Sequence, residues 1–352
     1  MNSEESIKSE FLGFLKGHAD QVTSIVSGHS TTEGKDSTIL VSGSRDKSLI
    51  LWMLEGKNDE TMQFGKPLKS MTGHNHFVTD LAMTSGNSHL ISSSWDKTMR
   101  LWNLRTCETQ ELYQSNNKEL NTVCFSKDNR YIFSGGCENK MMLWNTKGEK
   151  KAESSQENHD DWVSRVRFSP SAKHPFFASA GWDGRLKIWN GHFRNNGYIQ
   201  AHDSPIYALA IANNGTFIAT GGKDGKVKLF NISENSSPKA EFSCGSIVND
   251  LAFNPMFRMV AAATDDSIRI WDITNLDGDE VYCTIAPKDE NDITTQLEDD
   301  DDEEEDDIDD DDVPKKTNNI RFTSLTWSAT GKYIYAGCSD GNIQVFHIEH
   351  ST

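Results

Sequence analysis

A nine-residue frame recurs seven times along this chain, and a sequence built that way folds as an array of like units rather than around one central core. The copies are SRDKSLILW (44–52), SWDKTMRLW (94–102), GCENKMMLW (136–144), GWDGRLKIW (181–189), GKDGKVKLF (222–230), ATDDSIRIW (263–271) and CSDGNIQVF (338–346). The third residue is always acidic: Asp46, Asp96, Glu138, Asp183, Asp224, Asp265 and Asp340. Six residues later stands an aromatic: Trp52, Trp102, Trp144, Trp189, Phe230, Trp271 and Phe346. The sixth and eighth positions are apolar in every copy, the period of a half-buried strand. The aromatics are spaced by 50, 42, 45, 41, 41 and 75 residues. All but the last interval match the 40–50 residues of a four-stranded propeller blade.

Each frame follows a second strand, such as TILVSGS, HLISSS or YIFSGG, and before that lies a third, alternating one, such as VTDLAM, VSRVRF or VNDLAF. Turn residues separate the two. A histidine precedes the third strand in four units, at His18, His74, His159 and His202. These are the marks of WD repeats. A buried His and Asp must hydrogen-bond, and a network joining the turn to the next strand serves both. Asn116 stands in the histidine's place in the third unit.

The pattern predicts an all-β fold, one seven-bladed WD-repeat propeller spanning residues 1–352. The seventh unit runs out of chain before a fourth strand, so the N-terminal FLGFLKG (11–17) is expected to close the last blade and remove an open sheet edge. The long interval holds an insertion at about 286–319. Within it, residues 298–312 carry fourteen carboxylates, a composition that cannot bury a core and is expected to be disordered. It reads either as a solvated loop or as a docking or phospho-regulated spacer. Setting those fourteen charges aside from the formal −18 leaves −4 for the rest, so net charge is no argument against RNA. Six scattered cysteines without a C-x-x-C pair, no long apolar run and a polar start lead us to expect a reduced, cytoplasmic protein rather than a secreted or membrane one.

The ordered set of seven frames, with GHNHFVTDLAM, HDDWVSRVRFSPS and AAATDDSIRIWD, resembles the receptor for activated C kinase family over about residues 10–285 and 320–348. The resemblance implies a non-catalytic scaffold on the head of the small ribosomal subunit, partnered by ribosomal RNA, head proteins, protein kinase C-type kinases and translation factors. The family's RNA-contacting Arg-Asp-Lys tripeptide matches Arg45-Asp46-Lys47. Arg100 matches a basic position in the second frame, Lys97 lies in the same frame, and Lys69 stands where the family has an arginine; Thr72 lacks the usual base. Read from residues alone, 45–105 hold eight bases against six acids, a modest patch suited to phosphate contacts.

The repeat residues His18, Asp46, Trp52, His74, Asp96, Trp102, Trp144, His159, Asp183, Trp189, His202, Asp224, Asp265, Trp271 and Asp340 are assigned to structure. His74-Asn75-His76 invites a zinc reading, but no third ligand converges on it. Trp327 is expected in the core. Trp95, Trp162 and Trp182 lie near a rim, either as protein-docking anchors or buried against a neighbouring blade. No catalytic residue, metal, cofactor, membrane contact or small-molecule substrate is expected, and no convergent carboxylates can be assigned to a channel. The alternative is a WD-repeat adaptor subunit of another signalling or chromatin complex.

Overall fold

The computed structural model describes residues 8–30, 37–56, 62–115, 118–154, 158–171, 175–190, 193–233, 237–274, 281–289 and 320–349. Asn116, the acidic run 298–312 and most of the insertion around it therefore lie outside the described residues. Strand β1 (Lys8–Leu15) comes first. Blade 1 is β2 (Val22–Ser30), β3 (Ser37–Ser44), β4 (Leu49–Leu54) and β5 (Gly65–Met71). Blade 2 is β6 (Val78–Met83), β7 (His89–Ser94), β8 (Thr98–Asn103) and β9 (Glu108–Gln114). Blade 3 is β10 (Leu120–Phe125), β11 (Tyr131–Gly136), β12 (Met141–Asn145) and β13 (Lys150–Glu153). Blade 4 is β14 (Val163–Phe168), β15 (Phe176–Gly181), β16 (Arg185–Asn190) and β17 (Asn195–Gln200). Blade 5 is β18 (Ile206–Ile211), β19 (Phe217–Gly222), β20 (Lys226–Asn231) and β21 (Ala240–Ser243). Blade 6 is β22 (Val248–Phe253), β23 (Met259–Thr264), β24 (Ile268–Asp272) and β25 (Cys283–Ile285). Blade 7 is β26 (Phe322–Trp327), β27 (Tyr333–Cys338) and β28 (Ile343–Glu349), with β1 as its outer strand.

The closing strand pairs antiparallel with β28, from Lys8 opposite Glu349 to Leu15 opposite Ile343. It begins three residues earlier than the FLGFLKG segment, because backbone pairing continues past the last apolar residue. Leu12 and Leu15 pack with Val22 and Trp52 of blade 1 and Tyr335 and Val345 of blade 7, so one apolar cluster locks the two ends of the ring.

Burial peaks at the second strand of each blade and falls toward the outer one. The second strands are buried on both faces, as in MVAAAT of β23, and an outer strand such as β5 is exposed along its middle. The cores lie between adjacent blades rather than inside any one of them. The inner strands β2, β6, β10, β14, β18, β22 and β26 neighbour one another in ring order around a central channel. Trp327 is buried in the blade 6–7 cluster.

Candidate functional site

The four histidines each bridge a turn and a strand. His18 Nδ1 meets the Asp46 carboxylate at 2.8 Å and its Nε2 meets Ser42 Oγ at 2.7 Å. That hydroxyl also accepts from Trp52 Nε1 at 2.8 Å. The same chain runs Asp96–His74–Ser92–Trp102 in blade 2 and Asp183–His159–Ser179–Trp189 in blade 4. In blade 5, Thr220 replaces the serine and Phe230 the tryptophan, so His202 keeps Asp224 and Thr220 while no indole needs a partner. Both ring nitrogens of His74 are committed, which leaves none for a metal. Burial alone would raise the Asp46 and Asp96 carboxyls, but bonds from His18 with Ser48 and from His74 with Thr98 hold both well below the usual carboxylate range. Burial pushes the His202 imidazole down. In blade 3, Trp144 Nε1 donates to Ser134 Oγ at 2.9 Å.

Blade 6 departs from the frame. Between the last paired residues of its β23–β24 hairpin, Ala263 and Ile268, lie four residues where every other blade has five. Aligned on Trp271, Asp265 seems to hold the turn slot. Instead it accepts from Asn249 Nδ2 at 2.8 Å, and Asp266 holds the turn through Thr264 and Ser246. This corrects the assignment of Asp265, and its cause is the one-residue deletion. Ala262 stands where blades 1 to 5 carry the hydroxyl, and Trp271 Nε1 is buried without a partner among the described residues. Asp340 of blade 7 holds its turn through the backbone and side chain of Asn342.

The residue after the turn acid is left-handed in six blades: Lys47 (φ 72), Lys97 (φ 71), Asn139 (φ 62), Gly184 (φ 73), Gly225 (φ 71) and Gly341 (φ 92). Glycine adopts this conformation without strain, whereas a residue with a Cβ pays about 1–2 kcal/mol. Only blades 1 and 2 put a long cation there. Arg45, Lys47 and Lys97 thus share one face of the ring, on neighbouring turns. Arg100, on β8, lies beneath Gly73, whose Cβ would meet its Nη1 at 2.9 Å. Lys69, on outer strand β5, donates its ammonium to the Thr106 carbonyl and does not join the turn group.

On that same face every inner strand carries a β-bulge at its second residue, at Thr23, Thr79, Asn121, Ser164, Tyr207, Asn249 and Thr323. A bulge re-aims its side chain, here toward the next blade. Thr23 donates to Val78 O at 2.7 Å, Thr79 to Leu120 O at 2.8 Å, Asn121 to Val163 O at 3.1 Å, and Asn249 to Phe322 O at 2.8 Å. Thr323 donates to Val22 O across the closure. The ring breaks twice. Ser164 turns back to Ala180 O of its own blade, and Tyr207 makes no such bond among the described residues.

One residue deeper, Ser24, Asp80, Thr122 and Asp250 accept the amides of Leu81, Val123, Val166 and Leu325 from the following blade. Arg165 and Ala208 occupy the same layer and cannot accept. Blade 5 is therefore joined on both sides by packing without these bonds. Asp80, 1% exposed, takes a two-point contact from Arg167 of blade 4, Nη1 to Oδ2 at 2.7 Å and Nη2 to Oδ1 at 3.2 Å. Burial works against the Asp80 charge, and Arg167 and Arg165 overcome it to hold the carboxyl low. At Asp250 burial wins and raises it. Sequence reasoning missed this convergence of charges in the channel. The available signal was a charge just after the bulge in VTDLAM, VSRVRF and VNDLAF, on strands otherwise apolar at alternate positions.

The bulge side chains floor a cup of about 400 Å³ at the channel mouth. Arg45, Phe77, Trp95, Trp162, Arg165, Trp182 and Tyr207 wall it. Trp162 and Trp182 lie against each other with centroids 4.5 Å apart and planes tilted by 32°, and Tyr207 meets Trp182 edge-on at 6.1 Å. Trp95 Nε1 donates to Asn121 Oδ1 at 3.0 Å. Trp182 is 36% exposed, while Trp95 and Trp162 are half-buried. The structure thus gathers the three rim tryptophans around one opening, both walled and partly open.

A family model for the WD domain, G-beta repeat, matches residues 9–53, 65–103, 107–145, 150–190, 194–231, 236–272 and 315–347. The first six matches open at or just before the outer strand of one blade and end on the third strand of the next, the stagger that lets β1 complete blade 7, while the seventh takes in only the three strands that blade 7 draws from the end of the chain. The chain is 33% identical over 339 residues to Cross-pathway control WD-repeat protein 2 of Flammulina velutipes, covering 96% of this chain and 97% of that protein. It is 32% identical over 362 residues to Small ribosomal subunit protein RACK1y of Oryza sativa subsp. japonica, covering 99% and 98%.

Proposed function

The chain belongs to the receptor for activated C kinase family of WD-repeat proteins, and on that footing we propose that it is a non-catalytic, cytoplasmic scaffold bound to the head of the small ribosomal subunit, bringing signalling kinases and translation factors to it. The observation that carries the ribosomal part is the pair of left-handed lysines. Blades 1 and 2 keep Lys47 and Lys97 in a slot where glycine is free of strain, and strain retained on an exposed turn points to use of the side chain. With Arg45 they form a cationic edge across two neighbouring turns, suited to phosphate oxygens rather than to base reading. A relative of matching length is named as a small ribosomal subunit protein, which supports the same partner. Lys69 and Arg100 are flanking contributors in this reading.

The test is co-sedimentation with purified small subunits at physiological salt. The Arg45→Asp, Lys47→Glu double variant is expected to stay folded and to leave the subunit fraction. Each lost phosphate contact should also lower the slope of log affinity against log salt by about one. A folded double variant that still co-sediments overturns the assignment of this turn to RNA.

A further inference from the structure

We propose that the cup at the channel mouth binds a short acidic peptide segment of a partner protein, an inserted carboxylate meeting Arg165 and an adjoining apolar side chain lying against Trp182. This does not rest on the ribosomal reading, since its central residues belong to blades 4 and 5, away from the lysine turns.

The cup is lined by cations and aromatic rings. Its lining holds two guanidinium groups, Arg45 and Arg165, and no carboxylate. Arg45 lies over the Phe77 ring at 5.4 Å. Arg165 makes no direct ion pair among the described residues, its charge being felt at longer range by the buried Asp80 and Asp250 carboxyls of the channel. Its Nε is buried without a hydrogen-bond partner, and its Nη1 reaches only the Ser164 carbonyl at 3.3 Å. A guanidinium left with unmet donors is costly, and because Arg165 lines the cup, an anion entering there meets its charge. Arg165 is there because it occupies the layer that elsewhere accepts a neighbouring amide, and the breaks in both hydrogen-bond rings flank it. The donors left over, on Arg165 and Tyr207, face a wall of indoles. Unmet donors beside aromatic rings select an anion with an apolar neighbour.

The same elements occur in single-strand nucleic-acid platforms, and the surroundings decide between the two. Asp20, Asp161 and Asp203 stand exposed on the loops around the mouth. A nucleic-acid backbone lays its phosphates across that acidic rim, whereas a peptide can place one carboxylate at the centre. The indoles of Trp162 and Trp182 already lie against each other, which leaves one outer face rather than a row of base platforms.

The probe is a fluorescein-labelled, otherwise neutral peptide with one glutamate beside one phenylalanine, with a glutamine-for-glutamate counterpart, titrated into the full chain and followed by anisotropy. Saturable one-to-one binding is expected, with the glutamate peptide bound at least tenfold more tightly. Arg165→Met should bring that ratio to about one, and Trp182→Ala, at an exposed rim position, should weaken both peptides alike by about tenfold. Far-UV circular dichroism verifies that each variant is folded; should Arg165→Met not fold, Trp182→Ala decides, and unchanged affinity there overturns the site. Equal binding of the two peptides by the native chain, absence of saturation, a ratio that survives Arg165→Met, or displacement of the peptide by an oligouridylate each overturns the proposal. The last result would make the mouth an RNA surface.

Discussion

At the scale of single residues, three consecutive positions do opposite jobs. Asp46 accepts from His18, the Ala19 amide and the Ser48 amide and hydroxyl, so Asp46→Ala orphans a buried imidazole nitrogen and turn donors. A loss of about 1–3 kcal/mol is expected, read by urea unfolding, while the flanking Arg45 and Lys47 tolerate replacement. Lys47→Gly with Lys97→Gly sharpens the contrast. The left-handed strain relieved, about 1–2 kcal/mol per site, outweighs the roughly 0.5–1 kcal/mol of backbone entropy that glycine adds to the unfolded chain. The double glycine variant should therefore melt no lower than the native chain while binding small subunits more weakly. A clear drop in melting temperature would show that the lysine stems pack.

At the scale of the blade element, the bond between turn acid and histidine makes stability depend on pH, with a definite sign. His202, held below the ordinary 6.5 by burial, stays neutral in the fold while the unfolded imidazole takes a proton. Stability is then full above about 6.5 and declines as pH falls below it. The depressed Asp46, Asp96 and Asp183 carboxyls contribute stability above the unfolded value of 3.8 and lose it as pH falls further. Calorimetry should give a flat melting temperature above neutrality, a shallow decline from about pH 6.5 and a steep one below 4. A melting temperature rising between pH 7 and 5 would contradict the neutral, buried His202. Blade 6 lacks the histidine; buried Cys244 occupies its place, four residues before the inner strand.

At the scale of the whole molecule, the ring is closed by β1 and by Thr323 reaching Val22, and it is weakest where its inter-blade bonds stop. Removing residues 2–17 strips blade 7 of its outer strand and breaks the cluster of Leu12 and Leu15 with Trp52 and Tyr335. The truncated chain should unfold well below the full-length protein; an unchanged transition would mean that β1 contributes nothing. Around the channel, the Leu209 amide occupies the position at which Val123 and Val166 are each held by a side chain of the preceding blade. Hydrogen exchange should be faster at Leu209 than at those two, because local opening needs fewer bonds broken.

The sevenfold frame alone dictated blade number, strand period and the need for a closing strand, because these follow from local alternation and from repeat length. The histidine and acid positions were legible for the same reason: each acid lies six residues before its aromatic, and each histidine four residues before its inner strand. The blade 6 turn escaped, since a one-residue deletion inside a hairpin leaves the aromatic frame intact and moves only the slot. Left-handed Lys47 and Lys97 could be found only from backbone angles, and the pairing of Asp80 with Arg167, 87 residues apart, only from the closed ring. Wrapping the sheet into a ring brings the same strand position of seven blades around one axis. That convergence sets Trp95, Trp162, Trp182 and Arg165 about a single mouth, and spacing along the chain carries no trace of it.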